Sequence, residues 1–151
     1  LNRCFLAGAF ACAALLAGCG LDVMYADWKV DRLCRNDGGV KVFITDKPPV
    51  EFKMPDGNVD LGALQRAKPG QSYYLVRNWT RIQEHDPEIT RLELRLIRGR
   101  DEALLGKSVV YIRPIQNVGV PVLSRAAHSC PGPGDLAQLV AEAFYTSPSM
   151  K

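Results

Sequence analysis

Ile89-Thr90-Arg91-Leu92-Glu93-Leu94-Arg95-Leu96-Ile97-Arg98 is the stretch that decides the fold. From Leu92 to Leu96 apolar and charged residues alternate with a period of two. An extended strand places such a set as three leucines on one face and the charges on the other. Upstream, the segment Ser72 to Gln83 is rich in Tyr, Val, Trp, Thr and Ile, which suit a pleated surface. Glu84-His85-Asp86-Pro87-Glu88 lies between the two, and Pro87 favours a turn. The pair reads as an antiparallel hairpin. Gly99-Arg100-Asp101 turns the chain again, and Ser108 to Arg113 gives a third strand. Gly106 is either a bulge or part of the connection. A meander with one leucine-lined face must be covered.

The expected cover lies near the C-terminus. Pro133-Gly134-Asp135 offers an Asp N-cap. Leu136, Leu139, Val140, Ala143 and Phe144 then recur on a single helical face, with Gln138 and Glu142 pointing away. Ser147-Pro148 ends that helix. The span from Asn117 to Pro133, with its prolines and glycines, reads as loop.

On the N-terminal side, Asp27 to Cys34 reads as a short helix with Trp28, Leu33 and Cys34 turned inward, stopped by Asn36-Asp37-Gly38-Gly39. Val40 to Thr45 reads as a strand and Val50 to Met54 as a short second one. Pro55-Asp56-Gly57-Asn58 signals a turn, and Leu61 to Ala67 one or two helical turns. The expected fold class is α+β: a mainly antiparallel β-meander covered on one face by a C-terminal helix and a short N-terminal helix.

The first twenty residues have a different character. Arg3 is followed by an uncharged run from Cys4 to Gly18, which closes in Leu16-Ala17-Gly18-Cys19. At about fifteen residues the run suits the core of a signal peptide, whereas a membrane-spanning helix needs about twenty. A buried N-terminal helix is the alternative, and Gly8, Gly18 and Gly20 count against it. Leu-Ala-Gly-Cys resembles the lipobox of bacterial lipoproteins. That resemblance implies a signal peptide at 1–18 and a diacylglycerol thioether on Cys19. It further implies a lipidated tether at 19–26 and a single extracytoplasmic domain at 27–151. The membrane would be the first partner, held through the N-terminal lipid. Gly20, rather than an Asp, after the cysteine implies an outer-membrane address facing the periplasm. The Asp37-Gly38-Gly39-Val40 run also resembles small lipoproteins of Gram-negative bacteria, a likeness that carries no activity with it.

Within that reading the five cysteines sort themselves. Cys4 and Cys12 leave with the signal peptide and Cys19 carries lipid. Cys34 and Cys130 remain in an oxidising compartment, where a disulfide is expected; two free thiols are the alternative.

The net charge is +3, and acidic and basic residues are interleaved with no basic run. Nucleic acid is therefore not an expected partner. His85 beside Asp86, and His128 beside Ser129 and Cys130, are the only residues that suggest acid–base or nucleophilic chemistry. Neither group has metal spacing or a nucleophile elbow. Gly38-Gly39 and Pro131-Gly132-Pro133-Gly134 lack the patterns that cradle phosphate. No cofactor is expected.

The best candidate binding surface is Tyr73, Arg77, Trp79 and Arg81, since aromatic side chains with arginines suit a glycan or a protein partner. Tyr73, Trp79 and Arg81 share a face, Tyr74 takes the other, and Arg91, Glu93 and Arg95 are expected to continue the polar side. The leading expectation is a non-catalytic envelope lipoprotein, a binding or adaptor module for an envelope protein or glycan. One alternative is an envelope hydrolase or sugar-processing enzyme using Asp86, Glu88 and the histidines. Another is a phage- or plasmid-type exclusion lipoprotein.

Overall fold

The computed structural model describes residues 21–85, 87–115, 126–131 and 135–145. The lipobox, Asp86, Ser147-Pro148 and most of the 117–133 loop lie outside the described residues. Helix α1 covers 21–37. It is followed by β1 (Gly39–Val42), a 3-10 turn (Val50–Phe52), α2 (Leu61–Arg66), β2 (Tyr73–Gln83), β3 (Ile89–Arg98), β4 (Ala103–Arg113), β5 (His128–Cys130) and α3 (Asp135–Phe144).

The strands form one antiparallel sheet in the order β1-β4-β3-β2, with β5 also on β4. The class is α+β, as the alternation around Leu94 requires. β1 pairs with residues 106–109 of β4 and β5 with residues 111–113, so the two short strands follow one another along the same edge of β4. Register sets the faces. Leu75, Leu96, Gly106 and Val42 lie in one cross-strand row, with Trp79, Leu92 and Val110 in another row on the same face. Glu93 and Val109, and Arg91 with Tyr111 and Cys130, belong to the opposite face.

The two terminal helices divide these faces between them, where the sequence suggested that both cover one. α3 packs on the leucine face over β1 and β4. Its Leu139, Val140, Ala143 and Phe144 join Tyr73, Leu96, Leu105, Phe52, Val59 and Leu64 in the larger core. α1 packs on the other face, where Ala26, Val30 and Cys34 meet Ile89, Val109 and Tyr111. The physical reason is visible in β4. Val109 and Tyr111 make its opposite face apolar too, so that face also needs a cover.

The chain is already helical at residue 21, ahead of the expected 27, and Val23 and Ala26 are buried. The expected tether through Ala26 is therefore corrected: most of it is helix. Its inward positions are Val23, Ala26, Val30 and Cys34, and Trp28 is exposed rather than inward. Gly38 N–H donates to the Cys34 carbonyl, and Gly39, at φ +93°, takes the left-handed turn into β1.

Other segments depart locally. The expected strand from Val50 to Met54 is not formed: Val50–Phe52 is a 3-10 turn, because Pro48-Pro49 sets the entry, and Lys53 makes only an isolated bridge with Val59. Within the expected loop, His128–Cys130 forms β5. Asp135, expected as N-cap, is the first helical residue of α3. Gly106 lies inside β4, next to a bulge that leaves Leu105 unpaired while its carbonyl accepts from Phe43 and Ile44 N–H. A Cβ at Gly106 would stand 2.8 Å from Leu139 Cδ1 and 2.9 Å from the Lys41 carbonyl oxygen, so glycine lets α3 approach the sheet.

Cys34 and Cys130 form a disulfide with Cα atoms 5.8 Å apart, across 96 residues of sequence. It ties the last turn of α1 to β5. In the chain-entropy account a loop of this length is worth at most about 4–5 kcal/mol. The double variant Cys34→Ser/Cys130→Ser should unfold at markedly lower urea than the wild type. Denatured, unreduced wild-type protein should take up no thiol label at these two positions; two labelled thiols would contradict the bridge.

Candidate binding surface

Among the described residues β2 is an outer strand of the sheet. Its first residues are buried, but Val76 to Ile82 are exposed on both faces. α3 covers the Leu96–Gly106 end of the leucine face and, among the described residues, does not reach Trp79. Trp79, paired with Leu92 and in the same row as Val110, is 60% exposed. A shallow groove of about 550 Å³ runs beside it, lined by Trp79, Arg81, Glu88, Thr90, Ile112 and Pro114. Arg81 reaches Glu88 at 3.4 Å. Arg77 is exposed and has no ion-pair partner among the described residues.

Tyr73 does not belong to this surface. It is buried, packs edge-on against Phe144 with ring centroids 5.2 Å apart, and donates its hydroxyl to Asp46 at 3.0 Å. Burial, with that hydrogen bond, pushes the phenol up to about 12. Alternation alone placed Tyr73 with Trp79. It could not show that α3 reaches one end of the strand and not the other.

Arg91, Glu93 and Arg95 do not continue the Trp79 face either. Register pairs them with Thr80, Asn78 and Val76, on the opposite side. There Arg91 bridges Asp37 at 2.8 Å and Glu93 at 2.6 Å, and Arg95 also binds Glu93. The hydrogen bond from Arg91 holds the Asp37 carboxyl below its ordinary 3.8. Burial opposes ionisation of Glu93, but the bonds from Arg95 and Arg91 outweigh it and lower its pKa. On the leucine side, Arg98 donates to Asp46 at 2.6 Å and likewise lowers that carboxyl. Asp37 thereby clasps the end of α1 to the sheet and Asp46 clasps a loop to it, while the Glu93 pairs lie within β3.

His85 is exposed in the hairpin loop, and its neighbour Asp86 lies outside the described residues. His128 sits 2.8 Å from Asp31 of α1. Cys130 is held in the disulfide and offers no nucleophile. Glu88 is engaged with Arg81 and Thr90. Among the described residues no group of three or more His, Cys, Asp or Glu side chains is placed to hold a metal ion, and no helix is long and apolar enough to cross a membrane. A second groove, about 520 Å³, lies between α3 and the 54–62 segment and is lined mainly by apolar groups such as Met54, Leu61, Val140 and Tyr145.

Compared with known proteins, the chain matches no protein family, no curated protein and no solved structure.

The clasps predict the acid limb of stability. A carboxyl depressed in the fold contributes stability above its unfolded pKa and loses it as pH falls through the folded value. Stability should therefore drop between about pH 5 and pH 2. Asp46→Asn and Asp37→Asn should each be less stable near neutrality and lose less on acidification. Thermal melts across that range check both; an acid limb unchanged in the two variants would refute the assignment.

Proposed function

We propose that this protein is a lipid-anchored, non-catalytic binding module of the bacterial cell envelope, and that it engages another envelope protein through β2. The anchor rests on the lipobox-like Leu16-Ala17-Gly18-Cys19. The binding role rests on one observation: Trp79 stands exposed on an edge strand, on a half-face that no helix covers among the described residues.

The geometry favours a protein partner over a glycan. An edge strand presents a row of main-chain donors and acceptors that an added strand can pair with. From Val76 to Ile82 the strand carries Arg77 and Arg81 and no acidic residue. Those charges discourage self-pairing of two copies and suit an acidic extended segment. Trp79, large and rigid, is the kind of side chain that dominates such an interface.

Two measurements test the reading. Cys19→Ser should lose the lipid label and leave the membrane fraction; a variant still lipidated would refute the anchor. A photoreactive residue at Trp79 should cross-link one recurring envelope protein in cells, where the same residue at Gln138 on α3 does not. Arg77→Glu/Arg81→Glu should abolish that product. Equal products from both positions, or none from Trp79, would overturn the binding role. Capture of glycan instead would overturn the choice of partner.

A further inference from the structure

Helix α1 has a second face that the fold does not use. Its inward positions, Val23, Ala26, Val30 and Cys34, follow one side of the helix. On the side turned away from the sheet, Leu21, Met24, Tyr25 and Trp28 recur at i, i+3, i+4 and i+7, with exposures of 63%, 67%, 59% and 47%. At 100° per residue Arg32 and Arg35 fall in the same outward sector, and both are exposed. The Tyr25 and Trp28 rings lie 5.6 Å apart, and the Arg32 guanidinium stands 5.4 Å from the Trp28 ring centroid.

The carboxylates of α1 are disposed in the opposite sense. Asp27 pairs with Arg113, Asp31 with His128 and Asp37 with Arg91, all toward the body of the domain. Asp22, at the flank, accepts from Val23 N–H. The outward sector therefore holds apolar side chains, two aromatic rings with polar edges and two arginines, and no acid.

We propose that this stripe lies in the surface of the lipid bilayer, with α1 parallel to the membrane. The proposal rests on the anchor reading at Cys19. If acyl chains are attached there, only Gly20 separates them from residue 21, the first described residue of α1, a reach of at most roughly 7 Å between the Cα atoms of residues 19 and 21. The start of the helix is then held at the bilayer, whatever else the domain does. Tyr and Trp favour the boundary between headgroups and acyl chains, where a ring can be buried and its polar edge stay wet. Arg32 and Arg35 can reach lipid phosphates while their stems lie along the apolar boundary. An amphipathic helix seated in this way penetrates ~5–10 Å. A bilayer explains at once why the stripe is apolar, why Arg32 and Arg35 face outward and why Asp27, Asp31 and Asp37 pair inward.

α1 occupies one face of the sheet and Trp79 the other, so this seating leaves the Trp79 groove turned away from the membrane. The two tryptophans thereby become opposed reporters. The full acylated protein is reconstituted in phosphatidylethanolamine–phosphatidylglycerol vesicles as two single-tryptophan forms, Trp79→Phe and Trp28→Phe. Lipids brominated near the glycerol end of the chain should roughly halve the emission of Trp28, at the depth expected for an interfacial helix. They should leave Trp79 unquenched. Met24→Asp in the Trp79→Phe background should lose the quenching while intact mass still shows the acyl groups.

Unquenched Trp28 in protein shown by mass to be acylated would overturn the seating and leave the anchor standing. Trp28 shielded from both brominated lipid and aqueous acrylamide would also overturn it, since a protein segment or second copy would then cover the stripe. If intact mass shows no acylation the anchor reading fails by itself. The unacylated protein is then floated with the same vesicles: co-flotation with quenched Trp28 sustains the seating, and its absence overturns it.

Discussion

The Cys34–Cys130 bridge joins two elements that have little else to fix their relative position. α1 meets the sheet mainly through Val23, Ala26, Val30 and Cys34, small side chains that bury modest apolar area. β5 is three residues long. Neither would hold its place by packing alone. The bridge sets the last turn of α1 against β5, and β5 in turn completes the edge of β4. With that end fixed, the pairs along the helix fall into place: Asp37 with Arg91, Asp31 with His128, Asp27 with Arg113. The exposed pairs contribute little individually. Arg113 is different, because its side chain is only 3% exposed. Its charge needs Asp27 and the Ala126 carbonyl, and it binds both.

The two helices cover the sheet diagonally. α3 lies over the Leu96–Gly106 end of one face, and α1 over the Ile89–Tyr111 end of the other. The quarter opposite α3, which no helix covers among the described residues, is polar: Arg91 and Arg95 share Glu93, and Lys107 and Lys41 lie beside them. That quarter tolerates water, and α1 can end at residue 37 without leaving apolar surface bare. The quarter opposite α1 differs. Trp79, Leu92, Val110 and Ile112 are apolar, and Trp79 and Ile112 line a groove. Val110 is buried there, while Trp79 stands 60% exposed, and among the described residues no helix covers it.

The strongest periodicities were legible in the sequence and the tertiary choices were not. Alternation from Leu92 to Leu96 and the helical spacing from Leu136 to Phe144 located β3 and α3 almost to the residue, because both patterns come from one buried face. Trp28 misled because a large aromatic side chain suggests a core. The small residues Val23, Ala26, Val30 and Cys34 carry the inward face instead, and their helical spacing runs back into the segment read as tether. Tyr73 and Trp79 share parity on β2, yet one is core and the other bare. Parity reports which side a residue faces, while coverage depends on where α3 ends. The disulfide was legible only through compartment reasoning, since a sequence separation of 96 leaves no local trace.

Diagonal cover also relates the two proposed surfaces. The stripe on α1 and the groove at Trp79 lie at the same end of the sheet, separated by a helix layer and a sheet layer. Layers of this kind stack about 10 Å apart. A surface that meets lipid must be apolar with outward cations, and a surface that recruits a protein strand must keep its main chain free of lipid and of self-pairing. The two requirements conflict on one face and are compatible on opposite faces. The inward-paired acids of α1 strengthen the separation. Paired inward to Arg113, His128 and Arg91, they hold the helix to the sheet and remove negative charge from the side that would meet anionic headgroups. The contacts that secure the fold are thus the same contacts that make the outer face of α1 compatible with a membrane.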